Sequence, residues 1–411
     1  MKGDAGPARV LMLVTNEVTH DSRVLREAGT LSRLGLDVSI LGLDRRGCLP
    51  LIEERDGFRI LRCREWRMGR WLRQRGNGFI AFWGKTLRGL RYLLFSLQAR
   101  GNILHAHDLD TLPFALLTAR RNRAKVVYDS HEIYTEQWPP ETLSTSFRLL
   151  LRLLKGLESL LIRRVNATIT VSESIAKELA ARYVIPRPLV LRNCVSLPPE
   201  GEEGFSLRGS LDLGCSARVV VHTGSLVSFG RALRELILAF RHLGEEDHLV
   251  FLGEGPMAKE LGDLARTEGL EGRVHFQRPV LPHQLIPTMR EADLGAVMIR
   301  GKDSASYFLS LPNKLFETIA AGLPVVASDL PEIRRIVSGY EIGILCQPED
   351  PRDIARAIEE ALSPNRYAAF KANLKRAQEE LNWERESQKL VDLYQRLIRD
   401  GRGERNAAVI Q

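Results

Sequence analysis

Short apolar runs alternate with longer stretches of helical periodicity along almost the whole chain. Residues 10–14 form an unbroken apolar run, the mark of a strand buried on both faces. Residues 22–34 repeat apolar positions at helical spacing until Gly35 stops them. Short strands are also expected at 38–41, 103–105, 125–128 and 167–171, with the helical LPFALLTARR between 105 and 125. Ser172 is a good N-cap for the helix SESIAKELAARY, and Val190-Leu191 closes the first half. Residues 195–217 are rich in Pro, Gly and acid and read as an interdomain linker. A second series follows, with strands at 219–222, 248–252, 274–276, 294–298 and 343–345. Helices are expected near 232–243, 257–268, 283–291 and 351–362. Such alternation over both halves predicts an α/β protein with two doubly wound, Rossmann-like parallel-sheet domains, 1–200 and 201–377. The polar helical stretch 366–399 can lie over the surface, with residues 378–400 returning to the first domain.

Residues 312–329, PNKLFETIAAGLPVVASD, run from a polar loop into a helix, a Gly-Pro turn and a buried strand. Pro312 suits the start of a helix, where its missing N–H is no loss. Leu315, Phe316 and Ile319 supply one apolar face, and Gly322 a C-terminal stop. Asn313, Lys314 and Glu317 are left near the helix N-terminus, where free N–H groups and the macrodipole favour an anion. Lys314 can add charge on a phosphate and Glu317 can accept from a sugar diol. An ordinary capped surface helix with a Lys/Glu pair fits the same residues.

In sheets of this kind ligands bind at the carboxyl ends of strands and between domains. The loop after the first strand, residues 15–23, contains Asp21 and Arg23 and lacks the GxGxxG of a dinucleotide site. His105-Ala106-His107-Asp108-Leu109-Asp110-Thr111 follows another strand. Asp108 and Asp110 form a DxD, but Asp110-Thr111 is expected to cap the next helix. Asp129-Ser130-His131-Glu132 ends a third strand. Each histidine alone is more often a structural one; two His-and-carboxylate loops at adjacent strand ends point to a site. In the second half, Gly224 and Ser225 follow a strand and Arg231 precedes a helix, so backbone and guanidinium can both reach a phosphate. Gly253 and Glu254 form another tight loop, which on its own is as well a plain turn.

The composition, 44% hydrophobic and 27% charged, is that of a soluble globular protein. The five cysteines are scattered with no metal-ligand spacing, which fits reduced cytosolic thiols and gives no zinc site. The N-terminal apolar run is too short for a signal peptide, and no stretch is long enough to span a membrane. The net charge of +8 is concentrated: residues 62–100 hold ten Lys/Arg against one acid, interleaved with aromatics. A second basic, leucine-rich helix follows at 147–164. Such stretches suit an anionic membrane surface, although ordinary amphipathic helices share the pattern. Nucleic-acid binding would use the same charge, but no RRM, zinc-finger or helix-turn-helix signature accompanies it, and no nucleic-acid partner is expected.

Taken in order, DSRVLREAGTLSRLGLDVSIL, HAHDLDTLPFA, VVYDSHE, ITVSESIAKEL, LRNCV, HTGSL, FLGEGP, PNKLFETIAAGLPVVASD and GILCQPEDP give the chain a strong resemblance to retaining family 4 (group 1) glycosyltransferases. The likeness covers roughly 8–395 and implies the GT-B fold. It also implies a nucleotide sugar, UDP- or GDP-linked, as co-substrate, with no metal required. The donor's diphosphate would meet Arg231, Lys314, Gly224 and Ser225, and its nucleotide Glu317, Gly253 and Glu254. His107 would stand at the transferred sugar as the catalytic residue. Ser310, Asn313, His131, Asp129, Asp21 and Arg23 would line the donor-sugar or acceptor side. Two positions depart from the family pattern: the first glutamate of EX7E is Leu309, and the arginine of the GRL-like motif is Ser225. The implied reaction is hexose transfer to a glycan or lipid-linked envelope precursor, at the cytoplasmic face of the membrane. A nucleotide-sugar epimerase and a catalytically degenerate nucleotide-sugar-binding subunit are the alternatives.

Overall fold

The computed structural model describes residues 6–19, 21–65, 78–138, 143–199 and 201–408. The first sheet has eight strands: β1 (Arg9–Leu13), β2 (Asp37–Asp44), β3 (Ile52–Arg55), β4 (Phe58–Arg64), β5 (Ile103–His107), β6 (Lys125–Ser130), β7 (Ala167–Thr170) and β8 (Leu189–Val190). Their order is β3-β4-β2-β1-β5-β6-β7-β8, with every neighbouring pair parallel except the β3–β4 hairpin. The second sheet is wholly parallel: β9 (Arg218–Thr223), β10 (Asp247–Leu252), β11 (Val274–Gln277), β12 (Leu294–Val297), β13 (Val325–Ser328) and β14 (Gly343–Cys346), in the order β11-β10-β9-β12-β13-β14. Strand order reverses at β1/β5 and at β9/β12. These are the switch points where such sheets open a crevice at their carboxyl edges.

Buried Val, Leu and Ile fill both faces of each sheet. The C-terminal stretch is two helices, not one. Pro364–Glu380 stays with the second domain, Asn382 breaks the run, and Trp383–Ala408 crosses to the first. There Trp383 donates its indole N–H to Thr30 Oγ1 at 3.0 Å, and Leu390, Tyr394 and Leu397 join the core formed by Val24, Ala28 and Leu31.

Three further expectations are modified. Residues 195–217, which run between β8 and β9 as a connection, are not bare coil: they hold the helix Leu207–Ser210, whose Leu207 is buried and whose Arg208 binds Asp293. The basic stretch 62–100 is not one surface. Phe58–Arg64 is a strand, and Arg62 is buried against Glu53 and the carbonyls of Glu17 and Pro50, so its charge is spent inside. Trp66, Arg67, Arg70, Trp71, Arg73 and Arg75 lie outside the described residues, as does His20. Gly78–Gln98 is a helix whose Tyr92 is buried, its hydroxyl 2.9 and 2.8 Å from the carbonyls of Val14 and Leu41. Lastly, Thr111 is the N-cap of Leu112–Asn122 without a side-chain capping bond. It donates instead to the carbonyl of His107 at 2.7 Å, and Asp110 accepts from Thr15.

Candidate active site

The carboxyl edge of the first sheet holds a buried polar cluster. In β5, His105 and His107 are two residues apart and so share one face, with their rings stacked at 4.3 Å. His107 is in register with Asp129 on β6, and its Nδ1 lies 3.5 Å from that carboxylate. Asp129 is gripped by Arg23, Nε to Oδ2 at 2.8 Å and Nη2 to Oδ1 at 2.9 Å, the bidentate geometry that suits a guanidinium. Arg23 opens the helix Ser22–Arg33, whose first turn is capped by Asp21. Its remaining Nη1 donates to the carbonyl of Leu191 at 2.9 Å and to Asn193 at 2.8 Å. One turn on, Glu27 lies 3.1 Å from Arg23 Nε and 3.8 Å from His105 Nε2. Tyr394, from the returning helix, meets the other nitrogen of His105 at 2.9 Å. Asp108, left-handed at φ 62, ends β5 so that its carboxylate accepts from the backbone N–H of His131 at 3.1 Å and lies 3.2 Å from His131 Nδ1.

Burial by itself would raise the Asp129 carboxyl, but Arg23 and then His131 hold it well below the usual carboxylate range. Burial would likewise lower His131, but Asp108 and Asp129 hold it well above its ordinary value, so it is a cation at neutral pH. His107 and His105 are pushed down, chiefly by burial, and stay neutral. Glu27 is pushed up to about 8 by burial, against the pull of Arg23, whose fork is already spent on Asp129. A cationic His131 can only donate, so the 3.1 Å contact from its Nε2 makes His107 Nδ1 the acceptor. His107 therefore carries its proton on Nε2, which has no partner among the described residues. Donor atoms of Glu27, His105, His107 and Asp129 lie within 4.8 Å of one another, close enough to surround a cation. The Arg23 guanidinium already sits on both carboxylates, and His131 adds a second positive charge. A further dication would have to displace or oppose them.

At the edge of the second sheet, the loops after β9 and β10 touch backbone to backbone. A Cβ on Gly253 would come 2.0 Å from the carbonyl oxygen of Gly224, and one on Gly224, at φ +91, would come 2.6 Å from Lys314 Nζ. Only glycine fits either position. Lys314 and Glu317 lie on the helix Asn313–Ala320, whose N-cap, Pro312, supplies no side-chain acceptor to its first N–H groups. Glu317 accepts from Thr223 Oγ1 at 3.0 Å. Arg231 forms an isolated bridge with Ile299 and lies over the Tyr307 ring at 5.6 Å; its Nε has no partner among the described residues. Burial and the neighbouring Arg231 push Lys314 down to about 8, and burial lowers Arg231 itself. Two adjacent cations pushed towards neutrality form a pocket that an anion would relax. Ser225, Glu254 and Asn313 are exposed at its rim, while Ser310 Oγ donates to the carbonyl of Tyr307 at 2.9 Å.

The two edges meet. Ser172 Oγ donates to the carbonyl of Leu309 at 3.0 Å, the backbone N–H of Ser174 donates to Glu332 at 2.9 Å, and Ser306 Oγ approaches Glu132 at 3.4 Å. The structure thus places His107, His131, Asp129, Arg23 and Asp21 together on one edge and Arg231, Lys314, Glu317, Gly224 and Gly253 together on the other. Asp21, Arg23 and Asp129 spend their polar atoms within the protein, which suits them to hold the histidines in place. Sequence reasoning missed Glu27, Tyr307 and Tyr394, and it placed His105 and Glu132 in the two strand-end loops without giving either a role. For Glu27 and His105 a signal existed, in the i, i+4 spacing from Arg23 and the i, i+2 spacing from His107.

Residues 217–364 match the family model "Glycosyl transferases group 1", and residues 20–194 match "Glycosyl transferase 4-like domain". A D-inositol 3-phosphate glycosyltransferase of Rhodococcus erythropolis is 32% identical over 135 residues, 33% of this chain and 29% of that protein. The chain therefore spans under a third of the length of the curated relative it matches there. A glycosyltransferase of Methanocaldococcus jannaschii of uncharacterised activity is 24% identical over 237 residues, 55% of this chain and 59% of its own length. Among solved structures, sucrose-phosphate synthase from Thermosynechococcus elongatus superposes with a TM-score of 0.74 at 16% identity, covering 96% of this chain and 100% of that one. Anabaena HepE in complex with UDP-glucose superposes with a TM-score of 0.71 at 16% identity, covering 94% and 99%. With both domains matched in order and the two-sheet architecture shared throughout, the chain belongs to the group 1 glycosyltransferases of the GT-B fold.

Proposed function

We propose that the protein is a retaining glycosyltransferase that moves a hexose from a UDP- or GDP-sugar to a lipid-linked or oligosaccharide acceptor. The observation that carries this reading is the pair Arg231 and Lys314, two cations lowered by burial beside the open start of the helix Asn313–Ala320. A diphosphate supplies the charge they lack. Glu317 accepts from the ribose hydroxyls, and Gly224 and Gly253 let the backbone approach the nucleotide. The complex of Anabaena HepE with UDP-glucose supports a donor of this type. As the bond from the anomeric carbon to the leaving phosphate breaks, positive charge develops on the sugar and negative charge on the diphosphate. Arg231, Lys314 and the helix N–H groups stabilise the second. The acceptor oxygen bonds to the anomeric carbon on the face the phosphate leaves, and its proton passes to a phosphate oxygen. The charge on Arg231 and Lys314 does the work a divalent metal would otherwise do. His107 offers its Nε2 proton to the transferred sugar, and His131 lines the acceptor side.

Single nucleotide sugars should release nucleotide slowly, and faster with membrane lipid extract; isomerised sugar without release would identify an epimerase instead. His107→Ala should lower transfer by about a hundredfold or more, the scale of a lost transition-state donor. UDP affinity should stay unchanged in that variant. Undiminished turnover would remove His107 from the reaction.

The acceptor is reached at an anionic membrane. Helices Gly78–Gln98, Leu112–Asn122 and Thr145–Ile162 lie side by side on the first domain. Their outer faces expose Leu90, Leu94, Phe95, Leu117, Leu149, Leu150, Leu153, Leu157 and Leu160, with Leu153 at 64%. Exposed Arg152, Lys155, Arg163 and Arg164 accompany this surface. Leucine at the centre and cations beside it are what the headgroup region accommodates. No described helix is long and apolar enough to cross a membrane. Leu153→Glu with Leu157→Glu should abolish co-sedimentation with phosphatidylglycerol vesicles while leaving the fold intact by circular dichroism. Equal binding by the variant would return the face to ordinary surface.

A further inference from the structure

Where the two domains meet, one carboxylate has no cation of its own. Glu132 follows His131 at the end of β6, half-buried, and forms no ion pair with any described residue. Ser306 Oγ, from the short helix Ala305–Phe308 of the second domain, approaches its Oε2 at 3.4 Å. The other carboxylates at this junction are engaged: Asp108 by His131, Asp129 by Arg23, Asp303 by the backbone N–H of Gly230 at 2.9 Å, and Glu317 by Thr223. The segment beside Glu132 adds no other carboxylate, for Leu309 packs against the core of the first domain. Burial, and then Asp108, push Glu132 up to about 7, while His131 and Arg231 pull the other way.

The charges around Glu132 select its ligand. Arg231, Lys314 and the cationic His131 would repel an ammonium group, and Glu132 itself would repel a phosphate. A neutral polyol joined to a diphosphate satisfies both, with the anion on Arg231 and Lys314 and hydroxyls directed at the carboxylate. We propose that Glu132 binds the donor's hexose, accepting hydrogen bonds from its hydroxyls across the domain junction, so that the first domain reads a sugar whose nucleotide is held by the second. This rests on the reading of the donor site given above. It also makes sugar recognition depend on domain closure, because Glu132 and Arg231 come from different domains.

The test is calorimetric titration of the full chain with UDP, UDP-glucose, GDP and GDP-mannose, comparing wild type with Glu132→Gln and Glu132→Asp. In Glu132→Gln the nucleotide sugar that wild type binds should weaken by about tenfold or more, the scale of one hydrogen bond to a charged group. The matching nucleotide diphosphate should bind unchanged, and Glu132→Asp should recover part of the loss. A series of deoxy-hexose donors then separates contact from support. Wild type should lose a similar factor on the analogue lacking the bonded hydroxyl, and Glu132→Gln should lose nothing further on it. Equal weakening of diphosphate and nucleotide sugar, or nucleotide-sugar affinity unchanged in Glu132→Gln, overturns the assignment of Glu132 alone. Failure of wild type to bind any of the four ligands overturns the donor-site reading, and this assignment with it.

Discussion

Asp129→Ala should destabilise the protein by about 3–5 kcal/mol, the scale for removing one partner of a buried ion pair, and should abolish transfer at the same time. Arg23 is 4% exposed and Asp129 fully buried, so the variant leaves a guanidinium in the interior with two of its hydrogen bonds unmade. Glu27, 3.1 Å from Arg23 Nε, is pushed up by burial and by Asp129 itself, so any relief it gives in the variant requires a buried carboxyl to ionise in place of Asp129. His131 also loses one of the two carboxylates that keep it cationic. The denaturant midpoint of the purified chain measures the first effect, and turnover at a temperature where the variant remains folded measures the second. A midpoint within 1 kcal/mol of wild type, roughly the scale of an exposed pair, would show that the pair is solvated. The sign of the pH dependence follows. Asp129 lies well below its unfolded value near 3.9, so its contribution is complete above about pH 4 and disappears as acid protonates the folded carboxylate. That acid-labile part should be missing from Asp129→Ala.

The double variant Arg231→Ala, Lys314→Ala should weaken UDP or GDP binding by about a hundredfold or more, since each removes a charged contact to phosphate worth about 1.5–3 kcal/mol. The corresponding nucleoside should bind as before, because Glu317, Gly224 and Gly253 are untouched. Lys314 adds a pH signature. Its value of about 8 in the free protein means that it is charged below that pH and must take up a proton to bind a phosphate above it. With the terminal phosphate itself ionised, diphosphate affinity should therefore fall as pH rises through 8, and Lys314→Ala should flatten that decline. Calorimetry at several pH values decides the matter. Undiminished diphosphate affinity in the double variant would place the anion elsewhere.

The alternation of strands and helices was legible because strands buried on both faces read as continuous apolar runs. The β3–β4 hairpin was not, because β3 is the charged edge segment Ile-Glu-Glu-Arg, with little apolar signal. Its turn did carry a cue: Asp56-Gly57 has positive φ at both positions, the two-residue turn that joins twisted strands. The charge of Arg62 read as surface because composition says nothing of depth; the partners that bury it come from the β3 hairpin and the loop after β1. The site divides the same way. That His107 and His131 gather at one sheet edge, and Gly224, Arg231 and Lys314 at the other, could be anticipated from chemistry and position. What sets their protonation could not, because the contacts join distant positions: Arg23 to Asp129 across 106 residues, and His105 to Tyr394 across 289.

That last contact bears on how the chain is made. The core of the first domain includes Trp383, Leu390, Tyr394 and Leu397, which leave the ribosome only after the whole second domain has been synthesised. Until then Thr30 and His105 lack partners they have in the finished protein, and the ring stacked on His107 is without the hydroxyl that meets its Nδ1. The first domain thus cannot complete its interior in the order of synthesis, and the buried histidine cluster of a nascent chain stays unfinished until the returning helix has docked.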